Sequence, residues 1–356
     1  MKFNTGKKEN IIRYLLEKIE QNVENPSLIV SEAFGINRNT VHKYINELEK
    51  ENIIERVKRG IYRLVKTEYE YCLKKSNDEI KNETDIFYKY FKNHISDLSD
   101  GIKEIWEYTF SEMINNVIDH SGAENLFIKV SRDYIKTEVA IIDDGIGILE
   151  KIKSHFSLPS LDDAICELFK GKLTTDEKRH SGEGIFFSSR IMDDFTIWSS
   201  EKVFTHNKYD NNKFMDFSKL EKGTVVIMSI SNFSNKKTAE IFDKYTNKDN
   251  NFTKTSIILK NVFDSSPISR SQARRVLNGL EKFEEIVLDF EEVSWMGQGF
   301  AHQIFVLYRE NNPQLTITPI NMNEDVLNDA MACYEKEENK KIMVAAAEIE
   351  YDHYCQ

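Results

Sequence analysis

Ser111-Glu112-Met113-Ile114-Asn115-Asn116-Val117-Ile118-Asp119-His120 is the stretch that organises the chain. Wound as a helix, it sets Glu112, Asn116 and His120 four residues apart, so that a carboxylate, an amide and an imidazole share one face. Phe110, Met113, Ile114, Val117 and Ile118 form an apolar stripe about a third of a turn away. The polar residues are therefore presented from an element with a core to sit on. Taken alone, the stretch fits an ordinary amphipathic helix with a wet face equally well.

Two further stretches shift the balance. Residues 137–142 alternate and then run apolar, as a strand entering a core does. In Ile141-Ile142-Asp143-Asp144-Gly145-Ile146-Gly147-Ile148 the run stops at Asp143 and two spaced glycines follow. Gly145 and Gly147 let the backbone turn and come close to a flat ligand, and a strand-end carboxylate accepts hydrogen bonds from an exocyclic amine. In Arg179-His180-Ser181-Gly182-Glu183-Gly184-Ile185-Phe186 a glycine pair runs into an apolar helical pattern, which offers backbone N–H groups to phosphate.

These stretches resemble the N box and the two glycine boxes of the GHKL ATP-binding superfamily, which includes gyrase, a family of heat-shock chaperones, MutL, histidine kinases and anti-sigma-factor kinases. Gly223-Thr224, opening a strand over residues 225–230, resembles the closing Gly-Thr element of the same fold. The resemblance implies an α/β sandwich with helices on one face of a mixed sheet, and it implies ATP and Mg2+ as cofactors. It makes Asn116 the Mg2+ ligand and Asp143 the partner of the adenine amine. Gly182 and Gly184 would cradle phosphate, with His120, Gly145, Gly147 and Thr224 completing the nucleotide-binding set. Glu112 stands where the family's ATPases and anti-sigma kinases carry a glutamate that activates water or a hydroxyl as general base. Many histidine kinases have asparagine or histidine there, and a lysine where this chain has Asp119. His94 lacks the flanking pattern of a phosphoacceptor, so a sensor histidine kinase is not expected. Residues 149–181 correspond to the family's mobile lid, in which Lys170, Lys172, Thr174, Thr175, Lys178 and Arg179 are candidates to reach the phosphates; the plainer reading is a solvated loop.

The 356 residues suggest two or three domains, and a 40% hydrophobic content is enough for real cores. No apolar run is long enough to span a membrane and residues 1–8 lack the apolar stretch of a signal peptide, so a cytoplasmic protein without membrane attachment is expected. Cys72, Cys166, Cys333 and Cys355 show no metal-type or redox-type spacing and read as reduced thiols. Charge is uneven. Residues 1–65 hold 12 Lys and Arg against 9 Asp and Glu, net +3, while the remainder holds 36 against 50, net −14.

Residues 11–19 and 27–33 read as two amphipathic helices. Gly35-Ile36-Asn37 reads as a turn ending in an N-cap for a third helix over residues 38–50. Residues 53–64 alternate around Gly60 and read as a β-hairpin. This order resembles a winged helix-turn-helix. Its third helix would offer Arg38, Asn39, Thr40 and Lys43 to a major groove and its wing would hold Arg56, Lys58 and Arg59 near phosphates. Such modules also serve as protein-interaction or dimerisation units.

Residues 255–259, 269–277, 286–290 and 297–305 alternate strand with helix and imply an α/β unit. Ser269-Arg270-Ser271-Gln272-Ala273, Leu288-Asp289-Phe290 and Gly297-Gln298-Gly299-Phe300-Ala301 resemble the STAS-like domains of unknown function that follow GHKL domains. STAS antagonists carry a phosphorylatable serine at the turn that here reads Trp295-Met296-Gly297-Gln298-Gly299, without the hydroxyl.

The expected architecture is thus α/β multidomain: a winged helix (1–65), connecting helices (66–100), a GHKL domain (101–232), a linker (233–253) and a STAS-like domain (254–356). An insertion is expected at 205–218. Two functions fit: a homodimeric, DNA-binding regulator switched by slow ATP hydrolysis, or an anti-sigma-type kinase or ATPase acting on a protein partner through the STAS-like domain.

Overall fold

The computed structural model describes residues 5–172, 182–205, 222–263 and 265–333. Thr174, Thr175, Lys178, Arg179, Cys355 and most of the expected insertion lie outside these residues.

The chain opens with helices α1 (Thr5–Glu20), α2 (Pro26–Phe34) and α3 (Arg38–Lys50), followed by a hairpin of β1 (Ile54–Lys58) and β2 (Ile61–Leu64). Ile11, Leu15, Leu16 and Ile19 recur at helical spacing on α1 and pack with Val30, Val41, Ile45 and Leu48 and with the hairpin's Ile54 and Leu64. The Asn37 side chain accepts from Asn39 N at 2.8 Å and starts α3, as its sequence position suggests. Ile135, from a turn far along the chain, completes this core.

The next unit is a six-stranded sheet in the order β3-β4-β5-β8-β6-β7. Its strands are β3 (Thr67–Lys74), β4 (Asn125–Arg132), β5 (Lys136–Asp143), β6 (Asp194–Ser199), β7 (Lys202–Thr205) and β8 (Thr224–Ser231). Every pair is antiparallel, which corrects the expected mixed sheet. Ile128, Ile141, Val226 and Ile197 stand in register across four strands and are buried. The long helix α5 (Asp100–Asn116) lays Trp106, Phe110, Met113 and Ile114 on this face. Phe91 stacks on Phe110 at 4.9 Å.

Two expectations about connections are corrected. Residues 66–100 do not begin as helix: Thr-Glu-Tyr-Glu-Tyr-Cys-Leu-Lys has the period of a strand, and β3 pairs with β4 from Thr67↔Arg132 to Lys74↔Asn125. Its charged outer residues suit an edge, with Glu68 and Glu70 both reaching Lys129. A single 3-10 turn (Lys75–Asn77) follows β3, and α-helix begins only with α4 (Glu83–Ile86). Residues 233–253 likewise are no bare linker. They hold α9 (Thr238–Tyr245), whose Phe242 stacks on Phe187 at 4.0 Å.

Three helices lie between β5 and β6 in the chain: α6 (Ile148–His155), α7 (Leu161–Lys170) and α8 (Gly184–Ile191). The final unit is a parallel three-stranded sheet, β11-β10-β9, of β9 (Lys254–Ile258), β10 (Glu285–Asp289) and β11 (Thr316–Ile320). Its connections carry α10 (Arg270–Leu277) and α11 (Gln298–His302), and a last helix spans Glu324–Met331. Its core is continuous with that of the six-stranded sheet. No helix among the described residues is long and apolar enough to cross a membrane.

Candidate functional site

The end of β5 lies beside the start of β8, pairing Asp143 with Thr224. Asp143 is only 3% exposed. Its Oδ1 accepts from Gly145 N at 2.8 Å, and the Thr224 hydroxyl bonds the same carboxylate. Thr224 Oγ1 in turn accepts from Ile148 N at 3.0 Å. Burial pushes the Asp143 carboxyl up to about 6 against the pull of these bonds. A carboxylate has about four lone-pair sites, so three donors, the N–H groups of Gly145 and Thr224 and the Thr224 hydroxyl, still leave acceptor capacity on a side chain that faces a cavity. Asp144 does a different job. It is exposed and accepts from Glu124 N and Asn125 N at 2.9 Å and from Asn125 Nδ2 at 2.6 Å. Burial is the largest single influence and raises its carboxyl, but the Asn125 and Glu124 bonds together outweigh it and hold the group below the usual carboxylate range.

The cavity encloses about 340 Å3 between the end of α5, the loop after β5, α6, α7 and the start of α8, a volume within the range of small-molecule sites. Glu112, Asn116, His120, Asp143, Gly147, Gly182, Gly184 and Thr224 all line it. Gly145 does not. It lies behind the wall, packed on Ser121 O, and works through its bond to Asp143. Gly147 has φ +86°, and a Cβ there would come within 2.8 Å of Ser199 Oγ and 3.0 Å of Gly223 O. At Gly184 a Cβ would overlap the Glu112 carboxylate, so the acid sits directly against the first residue of α8.

The helix that carries the polar face is not α-helical throughout. After Asn116 the chain widens into a π-turn, Val117–Ser121, where the Ser121 hydroxyl donates to Val117 O at 2.7 Å. His120 still reaches the cavity, and Lys151 Nζ donates to the His120 carbonyl at 2.7 Å. One turn before Glu112, burial pushes the Tyr108 hydroxyl far above its ordinary value, and the charges of Glu112 and Glu183 add to this.

Sequence reasoning missed Lys151 and the apolar lining from Met113, Leu168 and Phe186. Lys151 was findable, because a helix starting after Gly147 turns its fourth residue back towards the glycine. Two of the lid cations, by contrast, serve elsewhere. Lys170 is fully buried and donates to Glu167 Oε1 at 2.6 Å, Asn278 O at 2.6 Å and Arg275 O at 3.0 Å, tying α7 to the end of α10. Lys172 lies 4.9 Å over the Phe283 ring and donates to Lys282 O at 3.3 Å. Neither lines the cavity.

In the amino-terminal unit, Asn39, Lys43, Lys58 and Arg59 are exposed and Thr40 is half-buried. Arg38 Nε donates to Ser27 Oγ at 3.0 Å, which fixes its stem to α2. Arg56 pairs with Glu49 at 3.1 Å and covers the Tyr62 ring, so it is less available to a partner than its position in the sequence suggests.

Residues 103–232 match the family model described as "Histidine kinase-, DNA gyrase B-, and HSP90-like ATPase", and residues 272–327 match a "STAS-like domain of unknown function". The chain therefore carries a GHKL-type ATP-binding domain followed by a STAS-like domain. No curated protein sequence matches it.

Proposed function

We propose that the protein is a DNA-binding regulator whose GHKL domain binds Mg-ATP, hydrolyses it slowly, and thereby sets the state of the amino-terminal and STAS-like units. The observation that carries the enzymatic part is the position of Glu112, its carboxylate against Gly184 at the first turn of α8, in the same cavity as Asn116 and Asp143. The acceptor capacity of Asp143 suits the adenine amine, and Gly182 and Gly184 line the cavity where the N–H groups that open α8 suit phosphate. Asn116 offers one oxygen to Mg2+. Among the described residues no group of three or more His, Cys, Asp or Glu side chains could hold a metal alone, so phosphate and water oxygens would complete the shell. ATP supplies the activated phosphoryl group. Glu112 takes the proton of the attacking water on its carboxylate.

The helix-helix-helix-hairpin order supports a winged helix-turn-helix, with Asn39 and Lys43 on α3 and Lys58 and Arg59 on the wing turned to solvent. Its attachment supports coupling. Ile135 enters its core from the β4–β5 turn, Lys136 pairs with Glu20 at 2.8 Å, and Asn232 N donates to Ile135 O at 2.7 Å. This junction lies at one end of β5 and β8, and Asp143 and Thr224 lie at the other.

The test joins two measurements. Glu112→Ala should keep ATP affinity and lose at least about a hundredfold in phosphate release. Retardation of duplex DNA from upstream of the gene should differ with and without ATP. Stable label from γ-labelled ATP on Ser294, or on any residue beyond 250, would overturn the hydrolase reading in favour of a kinase. DNA binding indifferent to ATP would overturn the switch.

A further inference from the structure

The cavity wall holds a charge imbalance that the residues assigned so far do not resolve. Glu112 and Asp143 are both acidic, yet the ligand proposed for the site is a polyanion. Among the described residues that line the cavity, Lys151 is the only lysine or arginine.

Its position is set by two elements. Lys151 N donates to Gly147 O at 3.0 Å, within a turn whose Ile148 N is bonded to Thr224 Oγ1 at 3.0 Å. Lys151 therefore stands one helical turn from the Asp143–Thr224 pair. Its Nζ reaches the other way, 2.7 Å from His120 O and 3.4 Å from His120 Nδ1. The ammonium thus rests at the carbonyl end of the α5 helix, where a cation is stabilised.

The helix gives this wall a direction. Glu112, against Gly184, marks the end by the start of α8; Asn116 follows one turn on, and His120 with Lys151 lies one turn further. Eight residues, one turn of α5 and then the π-turn, separate Glu112 from His120, on the order of 10 Å. The two ends therefore meet different parts of a long ligand. The lysine belongs near the base anchor, and Glu112 lies at the far end.

We propose that Lys151 is a nucleotide-binding residue that pairs with the sugar-proximal phosphate, and that it contributes equally to the binding of ATP and ADP. This rests on the ATP-binding reading and assigns within it a cation that the described lid residues do not supply. Lys170 and Lys172, the lid cations that are described, are committed to the STAS-like unit.

The experiment is calorimetric titration of the full chain with adenosine, ADP and ATP, for wild type, Lys151→Met and Lys151→Arg. Lys151→Met should weaken ADP and ATP alike by about ten- to thirtyfold, with Lys151→Arg recovering most of the loss. Adenosine affinity should stay within about twofold, which also reports an intact base site, and the ADP affinity of the wild type should fall more steeply with salt than that of Lys151→Met. Failure of the wild type to bind ADP would refute the nucleotide reading itself. Equal ADP affinity in wild type and Lys151→Met would refute only the role of Lys151. Loss of adenosine affinity as large as that of ADP would make the lysine a clasp on the His120 backbone and also overturn the proposal.

Discussion

Replacing Asp143 by asparagine should make the nucleotide-free protein more stable and at the same time unable to hold ATP. Burial raises the Asp143 carboxyl from 3.8 to about 6. Two units correspond to about 3 kcal/mol of stability withheld from the folded state. The sign follows from the direction of the shift. Below the unfolded value the group is protonated in both states and costs nothing; as pH rises through about 4 to 6 the unfolded chain ionises first, and above about 6 the whole penalty is present. Asparagine has nearly the same shape, keeps an oxygen for Gly145 N, and carries no charge at any pH. Urea denaturation at pH 7.5 should therefore place the variant above wild type by up to about 3 kcal/mol, and the gap should close towards pH 4.5. ADP affinity should fall by at least about a hundredfold, because the new amide N–H cannot accept from the adenine amine. In the wild type the same affinity should decline as pH drops through about 6. A variant no more stable than wild type at pH 7.5, or a gap no smaller at pH 4.5 than at pH 7.5, would refute the reasoning; unchanged ADP affinity would move the base site elsewhere.

Two further outcomes are expected. Lys43→Ala should weaken DNA binding and lower the slope of log affinity against log salt by about one unit in gel-retardation titrations, and no salt-sensitive binding to any duplex would leave the amino-terminal unit as a protein-docking module. Lys170→Met strips a fully buried ammonium from Glu167 and two carbonyls, so urea denaturation should register a loss of about 3–5 kcal/mol, and a loss below about 1 kcal/mol would show that the contact contributes little.

The Asp143 corner of the cavity was legible because its pattern is local. A strand that stops at Asp143 with Gly145 and Gly147 behind it contains its own geometry, and Glu112 and Asn116 lie one helical turn apart whatever surrounds them. What was hidden depends on distant partners. Lys170 has the look of a solvated lid cation until α10, more than a hundred residues later, brings the carbonyls of Arg275 and Asn278 to it. The residues of β3 were passed over for a related reason: only the pairing with β4 gives the alternation of Tyr69 and Tyr71 with Glu68 and Glu70 a meaning. The π-turn at Val117–Ser121 has no sequence signature of its own, since Ser121 and Lys151 act on it through side-chain bonds to carbonyls.

The aromatic seam between the two α/β units bears on how the protein can be cut. Phe186 and Phe187 belong to the segment that matches the ATPase family, yet Phe242, Tyr245 and Phe252, all beyond its end at residue 232, cover them, and Phe283 of the C-terminal unit covers Phe252. A fragment ending at residue 232 would bare these rings to water, with about 150–250 Å2 of surface for each large aromatic side chain, and would leave Lys170 without the carbonyls that hold it. Such a fragment is an aggregation hazard and a poor stand-in for the full chain. The boundary of homology and the boundary of folding part company here, and the smallest piece that keeps both sides of the seam runs from the edge strand at Thr67 to the last described helix at Met331.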